Sequence, residues 1–132
     1  SYQYNKHYYQ QIDDLRYEGE EFYCAQAIDI DRDVKHWVRN LVNPDFGFRL
    51  PLASGYFYPD FVAELRDGRI LVVEYKGEHI KDYEREKEKR NIGEKWEAKS
   101  GGKGLFLFAV TRDEQRSGIY QQLEAKIMEQ SH

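Results

Sequence analysis

Cysteine is nearly absent from this chain: among 132 residues only Cys24 is a cysteine, so no internal disulfide can form. This scarcity favours a reducing compartment, and we expect a cytoplasmic protein in which Cys24 packs in a helix rather than reacts. Long apolar runs are missing too, since none approaches the roughly 18 residues that cross a bilayer, and no secretory signal is visible. We therefore expect no membrane partner.

A surplus of positive charge is also missing, because 20 Lys and Arg face 24 Asp and Glu, which gives a formal net charge of −4. Proteins that bind nucleic acid without help gain much of their affinity from Lys and Arg side chains that release counterions. If this chain binds DNA, we therefore expect the isolated domain to bind it weakly.

The remaining composition is that of a globular protein, with 33% charged residues, 40% hydrophobic residues, eleven Tyr and seven Phe. A chain of 132 residues is long enough for one hydrophobic core and too short for two. We therefore expect a single domain over residues 1–132. The chain begins with Ser1 rather than Met, and we expect it to be a fragment of a larger multidomain protein.

The stretch around which the chain is organised is 57–77. Residues 61–65 and 70–75 are rich in Val, Ile, Leu, Phe and Tyr, and the turn-forming residues 66–69 separate them. This pattern predicts a β-hairpin. Acidic residues flank it where a core strand would carry apolar ones.

The length of the turn decides where those acids lie. With a two-residue loop, Asp60 and Glu74 would point to opposite faces. With a three-residue loop and Gly68 in the left-handed conformation, Asp60 lies opposite Glu74, and Lys76 shares their face. We predict the second register, in which Val62, Ile70 and Val72 join the acid face. The other face then carries only apolar or aromatic side chains: Phe61, Ala63, Leu65, Leu71, Val73 and Tyr75.

Two carboxylates that converge in this way repel each other unless a cation lies between them. Mg²⁺ suits the place, since it takes oxygen ligands, keeps several waters and is usually bound by one or two carboxylates plus substrate phosphate. Lys76 would add a fixed positive charge or proton donor beside a scissile phosphate. The alternative is a surface hairpin whose charged groups are merely solvated. Against it, Glu74 directly follows the apolar run 70–73.

The pair Pro59-Asp60 followed by Glu74-Tyr75-Lys76 resembles the signature of the PD-(D/E)xK nuclease superfamily. A wider similarity, over about residues 7–111, is to the C-terminal endonuclease domain of the restriction subunit of type III restriction enzymes. The stretches that carry it are Trp37–Asn40, Phe57–Phe61, Val73–His79 and Lys89–Trp96.

This resemblance implies a three-layer α/β/α restriction-endonuclease-like fold with a central mixed sheet. It also implies a Mg²⁺-dependent endonuclease, with Mn²⁺ able to substitute, that acts on double-stranded DNA. The expected partners are an ATP-dependent helicase or translocase domain and a modification subunit.

Further site residues follow from the same resemblance. In the superfamily a glutamate of the first helix often supplies a third acidic ligand, and Glu21 occupies the similar position, although Glu18 and Glu20 are close neighbours. The alternative is an ordinary acid near a helix N-terminus, where the helix dipole favours it.

Three residues are candidates for contacts with the DNA backbone. Arg39 and Asn40 could bind phosphate, but structural pairing with a neighbouring acid is equally consistent. Lys89 lies in a matched stretch. Its alternative is a solvated helix face whose opposite charges pair at i, i+4.

Periodicity and turn residues predict the remaining elements. The aromatic N-terminal stretch 2–16 is expected to pack on its own domain or on a neighbouring one, with stacking on bases as the alternative. The expected order of elements is helix, three strands, helix, strand, helix. This order makes a mixed sheet with helices on both faces. The predicted elements are a helix over 18–29, a strand over 36–42, a loop over 43–55 with a possible short strand through Phe46, Phe48 and Leu50, a helix from the cap Asp82 to about Lys99, a strand over 105–110 and a helix over 113–129.

The predicted chemistry is phosphodiester hydrolysis. Asp60, Glu74 and Glu21 hold one or two Mg²⁺ ions, with the Tyr75 carbonyl as a further ligand, and Lys76 positions or activates the attacking water. By the resemblance, the product carries a 5′-phosphate and the domain cuts with little sequence preference. The alternative is a non-catalytic DNA-binding or docking module of the same fold.

Overall fold

The computed structural model of the chain describes residues 2–7, 11–12, 19–42, 45, 47–77 and 82–129. Within these residues the fold is mixed α/β, with three helices and a four-stranded mixed sheet. The helices are α1 (Glu20–Ile30), α2 (Tyr83–Lys99) and α3 (Ile119–Ile127). The strands are β1 (Tyr2–Gln3), β2 (Gln11–Ile12), β3 (Val34–Arg39), β4 (Leu50–Pro51), β5 (Tyr56–Phe57), β6 (Phe61–Leu65), β7 (Ile70–Gly77) and β8 (Gly104–Val110).

The four long strands form one sheet in the order β3-β6-β7-β8. The β3–β6 and β6–β7 pairs are antiparallel, whereas β7 and β8 are parallel. A parallel pair needs a crossover connection, and α2 supplies it. The mixed sheet expected from the order of elements is thus confirmed.

The register of the β6–β7 hairpin is the predicted one. Phe61 faces Val73 and Glu64 faces Ile70, and the Leu65 N–H donates to the Arg69 carbonyl at 2.8 Å. Gly68 has φ of 92°, a left-handed conformation that favours glycine. The three-residue loop 66–68 therefore sets the pairing that places Asp60 against Glu74.

Apolar side chains cover both faces of this hairpin. One cluster contains Phe61, Ala63, Leu65, Leu71 and Val73 with buried residues of α1 and α3, and Tyr75 packs against it. The opposite cluster is built around Val72 and Phe106. Val62 and Ile70 pack against that second cluster, as do Ile92 and Trp96 of α2. Side chains alternate along the strands as predicted.

Helix α2 begins and ends as expected. The Asp82 carboxylate accepts a hydrogen bond from the Arg85 N–H at 3.2 Å, which caps the first turn. Helix α2 approaches the sheet closely at Gly93, since a Cβ there would lie 2.5 Å from the Phe106 ring. None of the helices among the described residues has the length and apolar character of a membrane span.

Helix α3 starts six residues later than predicted, at Ile119 instead of Asp113. Hydrogen bonds of the Asp113 side chain account for the error, because the carboxylate accepts from the N–H groups of Gln115 and Ser117. Arg116 also has a positive φ of 63°. Such local bonds from an aspartate compete with the helix.

Two strand predictions need correction as well. Strand β3 covers 34–39 rather than 36–42, and Leu41 and Val42 are exposed beyond its end. The short strand predicted through 46–50 is instead a hairpin of β4 and β5, and Pro51 belongs to it. Phe46 and the start of the predicted loop, residues 43–44, lie outside the described residues.

The described part of the N-terminal stretch packs on its own domain, as predicted. Strands β1 and β2 pair with each other, and Tyr4 is 1% exposed, with its ring edge-on to Trp37. Asp29 accepts hydrogen bonds from the N–H groups of Asn5 and Lys6. Tyr8, Tyr9 and Tyr17 lie outside the described residues.

Candidate active site

Backbone N–H groups orient the carboxylates of Asp60 and Glu74. The Asp60 N–H donates to Glu74 Oε1 at 3.1 Å, and the Tyr75 N–H donates to Asp60 Oδ2 at 2.7 Å. Both carboxylates therefore have a defined orientation where the hairpin opens. Glu74 is buried, with 4% of its surface exposed. Such burial of an acid requires cations or hydrogen-bond donors beside it.

Asn40, immediately after β3, fixes the backbone that carries Asp60. Its Nδ2 donates to the carbonyls of Pro59 and Phe48 at 2.8 and 2.7 Å, and its Oδ1 accepts from the Phe48 N–H. The Asn40 N–H also donates to the Asp60 carbonyl at 2.7 Å. The Asn40 side chain thus links the backbone at Phe48 to the backbone at Pro59. The observed partners are backbone groups, and the predicted DNA contact of Asn40 stays a prediction.

Burial raises the pKa of Asp60 to about 7, and the charge of Glu74 adds to this rise. The Tyr75 N–H and the charge of Lys76 oppose the shift without cancelling it. Near neutral pH it therefore costs free energy to keep both carboxylates ionised. A bound cation would relieve that repulsion.

Lys76 lies at an irregularity of strand β7. The register between β7 and β8 shifts between Tyr75 and Gly77, so Lys76 has no direct partner on β8. Bulges of this kind re-aim side chains and are frequent beside active sites. Lys76 Nζ lies 3.1 Å from Glu74 Oε2, which confirms that the two side chains converge.

The N-terminal half of α2 contributes a further acid and a further lysine that meet at Lys76. Glu86 Oε1 lies 2.8 Å from Lys76 Nζ. Lys89 Nζ lies 3.8 Å from Glu74 Oε2 and 3.7 Å from Glu86 Oε1, and 5.2 Å from the centroid of the Phe57 ring. We call Glu74, Lys76, Glu86 and Lys89 the acid–lysine cluster. All four side chains are at most 16% exposed.

The interpretation of the α2 charges as a solvated, self-paired face is therefore wrong for Glu86 and Lys89. A signal for their position was present in the sequence. Glu86 and Lys89 precede Gly93 and Trp96 by seven residues each, which is two helical turns, and so they share the helix face that packs on the sheet. Lys89 was anticipated as a site residue, but Glu86 was not.

The electrostatic effects on Lys76 combine to keep it charged. Burial opposes the charged form, but the hydrogen bond to Glu86 and the charge of Glu74 outweigh it, so the pKa of Lys76 is raised. In this arrangement Lys76 is an ammonium donor rather than a base.

Glu21, on α1, reaches the site from the other side of the sheet. Its Oε1 lies 3.4 Å from Arg39 Nε. Burial raises the pKa of Glu21, the charge of Asp60 raises it further, and Arg39 partly opposes both. Glu21 is therefore electrostatically coupled to Asp60, and Arg39 has the acidic neighbour that was the alternative to a DNA contact.

The Cys24 thiol lies beneath these acids and is fully buried. Burial, followed by the charges of Asp60, Glu21 and Glu74, raises its pKa well above the ordinary value. A thiol held in this protonated form is a poor nucleophile. Cys24 packs in α1, as predicted.

The donor set suits a hard cation with two protein carboxylates. Among the described residues, no three His, Cys, Asp or Glu side chains are grouped closely enough to hold a metal. Asp60 and Glu74 supply opposed oxygen ligands, and Mg²⁺ commonly binds through one or two carboxylates with water in the remaining positions. The residues present thus fit a two-carboxylate Mg²⁺ site, and Glu21 as a direct third ligand stays a prediction.

Comparisons with protein-family models, with curated proteins and with solved structures find no match to this chain. The geometry of the site therefore carries the functional argument.

Proposed function

We propose that this domain is a Mg²⁺-dependent endonuclease that hydrolyses phosphodiester bonds in double-stranded DNA. The observation that carries the proposal is the convergence of Asp60, Glu74 and Lys76. The Asp60 N–H donates to Glu74, the neighbouring Tyr75 N–H donates to the Asp60 carboxylate, and Lys76 lies 3.1 Å from Glu74. A buried carboxylate opposed to a partly buried one, beside a lysine, is suited to a cation and a phosphate.

Asp60 and Glu74 would hold the ion, and Mn²⁺ could replace Mg²⁺. When bound, the ion supplies positive charge that stabilises the phosphate in the transition state and favours deprotonation of the attacking water. Glu21 contributes negative charge from the opposite side of Asp60. The Tyr75 carbonyl is a further oxygen donor beside Glu74.

Lys76 supplies the fixed positive charge of the site. Its ammonium group would orient the attacking water or contact a phosphate oxygen. Lys89 brings a second ammonium group within 3.8 Å of Glu74, where it is suited to the DNA backbone close to the scissile bond. Arg39 and Asn40 remain candidates for backbone contacts farther along the strand.

The wider proposal follows the resemblance to type III restriction enzymes. The sheet with helices on both faces is consistent with a three-layer restriction-endonuclease-like fold. In that setting the domain would work within a restriction subunit, attached to an ATP-dependent helicase or translocase domain and associated with a modification subunit. Such partners would supply the DNA affinity that a domain of net charge −4 lacks.

The test compares two glutamates of the same hairpin. Mn²⁺ and Mg²⁺ are titrated by calorimetry into the unmodified chain, into Glu74→Gln and into the control Glu64→Gln, since Glu64 is exposed on β6. Nicking of supercoiled plasmid is measured on the same samples. We expect Glu74→Gln to lose metal binding and nicking together, and Glu64→Gln to retain both.

Lys76→Met separates binding from chemistry. We expect this variant to bind the metal and to lose nicking, because Lys76 is not a ligand. If the unmodified chain binds no divalent metal even with DNA present, the catalytic proposal fails. A non-catalytic DNA-binding or docking module then remains.

A further inference from the structure

Glu86 is an acid for which the proposed mechanism has no use. It lies in the first turns of α2, its side chain is 12% exposed, and its Oε1 lies 2.8 Å from Lys76 Nζ. The corresponding distance from Lys76 to Glu74 is longer, at 3.1 Å. Lys76 is therefore shared between two carboxylates from different elements, and the nearer one belongs to α2.

The second oxygen of Glu86 makes the burial of this acid costly for the fold. Glu86 Oε2 is buried and has no hydrogen-bond partner among the described residues. A buried carboxylate oxygen without a donor destabilises a fold. Other contacts attach α2 to the sheet, namely the close approach of Gly93 to Phe106 and the packing of Trp96. Of the two lysine contacts of Glu86, the one with Lys76 is much the shorter, at 2.8 Å against 3.7 Å for Lys89.

The position of Lys76 creates a problem that Glu86 solves. Lys76 Nζ contacts Glu74 Oε2, an oxygen that a divalent cation would also require. An ammonium group and a metal ion that share this oxygen repel each other, so the contact with Lys76 weakens metal binding there. A second carboxylate beside Lys76 gives the ammonium group a partner that does not depend on Glu74.

We propose that Glu86 is a positioning residue that holds the Lys76 ammonium group beside the cation position between Asp60 and Glu74 and keeps it out of that position. The inference rests on the proposed function, since it assumes a divalent cation at Asp60 and Glu74. Glu86 touches neither the ion nor the substrate in this arrangement, and it acts through Lys76 alone. Lys89, one helical turn after Glu86, limits how much negative charge the arrangement adds.

This role makes a distinctive prediction for metal binding. Without the Glu86 carboxylate, the only close carboxylate left to Lys76 in the acid–lysine cluster is Glu74, so Lys76 competes with the metal. Loss of Glu86 then weakens metal binding only while Lys76 is present. If Glu86 merely contributed negative charge, its loss would weaken metal binding whether or not Lys76 were present.

The experiment is a double-mutant cycle read by Mn²⁺ calorimetry without DNA. It uses the unmodified chain, Glu86→Gln, Lys76→Met and the double variant. The control is Glu84→Gln, which removes an exposed charge two residues earlier on the same helix. We expect Glu86→Gln to lower Mn²⁺ affinity about tenfold in the unmodified background, as is usual for residues that support a ligand. In the Lys76→Met background the same change, like the control, should have an effect below about twofold.

Three outcomes would overturn the inference. They are an undiminished Glu86 effect in the Lys76→Met background, an effect of Glu84→Gln as large as that of Glu86→Gln, and no effect of Glu86→Gln at all. If Glu86→Gln does not fold, Glu86→Met takes its place in the cycle, because it has similar length and leaves no buried polar atom unpaired.

The cycle also separates this inference from the proposed nuclease. Coupling between Glu86 and Lys76 in Mn²⁺ binding, with no nicking by the unmodified chain, supports the positioning role and contradicts the nuclease. Binding and nicking by the unmodified chain without coupling supports the nuclease and overturns the role of Glu86. A chain that binds no Mn²⁺ contradicts both, because no cation position then exists.

Discussion

Two aspartates of this domain, the buried Asp29 and the partly buried Asp60, have opposite surroundings. Asp29 on α1 accepts three hydrogen bonds, from the Asn5 and Lys6 N–H groups and from Trp37 Nε1, at 2.6 to 3.0 Å. Within the described part of the chain, Asp60 accepts a hydrogen bond from the Tyr75 N–H and lies against a second carboxylate. Donors surround the first aspartate, whereas the second meets another acid.

This difference separates a structural carboxylate from the one that we propose to be functional. The three donors at Asp29 join the N-terminal segment, α1 and β3, so the negative charge stabilises the fold. At Asp60 burial and the charge of Glu74 raise the pKa to about 7, so the folded protein is strained by the ionised form. Strained carboxylates of this kind are candidates for cation binding or catalysis. The same substitution, Asp→Asn, should therefore have opposite effects at the two positions.

Asp29→Asn should give the largest change and should destabilise the domain by about 4 kcal/mol, because an amide cannot accept all three hydrogen bonds and places its own NH₂ against an N–H donor. The measurement is the free energy of unfolding from denaturant titration. The loss should be similar with and without Mg²⁺. A change below about 1 kcal/mol would contradict the structural role of Asp29.

Asp60→Asn should stabilise the metal-free domain, by about 2 kcal/mol at pH 8. The pKa of Asp60 is raised, so the penalty for ionising it is absent below the ordinary value of 3.8, grows as the pH increases and is complete above about 7. The gain in unfolding free energy should therefore shrink between pH 8 and pH 5. A gain that does not depend on pH, or a loss of stability at pH 8, would contradict this account.

The affinity for Mg²⁺ should fall about tenfold per unit as the pH decreases below the raised pKa of Asp60, because the ion and the proton compete for one carboxylate. Calorimetry at pH 6, 7 and 8, in buffers of different ionisation enthalpy, counts the protons released on binding. We expect close to one proton at pH 6 and fewer at pH 8. Asp29→Asn, studied where it remains folded, should leave this profile unchanged. A flat profile would remove Asp60 from the metal site.

The smallest change is expected where the site reaches the surface, at the Glu21–Arg39 pair. Both side chains are partly exposed, so Arg39→Gln should alter the unfolding free energy by about 0.5 kcal/mol or less. Glu21→Gln should have an equally small effect on stability and should lower Mg²⁺ affinity a few-fold through lost negative charge. An unchanged Mg²⁺ affinity in Glu21→Gln would leave Glu21 as a partner of Arg39 alone.

Local rules predicted the part of the site that lies on one hairpin. Of the two loop lengths considered, the three-residue loop 66–68 with its left-handed glycine is the one observed, and its register brings Asp60 opposite Glu74. The capped start of α2 and the apolar strand β8 were predicted for similar reasons, because turn residues and hydrophobic runs act over a few positions. The start of α3 was missed because the Asp113 side chain bonds the backbone that would have continued the helix.

Contacts between elements that are distant in the sequence could not be predicted by the same local rules. For Asn40 the sequence left a DNA contact and pairing with an acid open, and it did not predict that the amide bridges backbone groups of Phe48 and Pro59. Glu86 was assigned to a solvated face, because seven charged residues in succession from Glu84 to Arg90 conceal which of them face the sheet. The choice between an i, i+4 partner on the helix and a partner on β7 depends on how the helix is rotated against the strands.

By itself the sequence determined the hairpin, its register and the pairing of Asp60 with Glu74, because turn geometry and the two-residue repeat of a strand operate within about twenty residues. Only the tertiary structure decided that α2 adds Glu86 and Lys89 to Lys76, that α1 brings Glu21 toward Asp60, and that burial raises the pKa of Asp60. The physical reason is that desolvation and ion pairing depend on which surfaces meet, and the meeting of distant segments is set by the packing of the whole core.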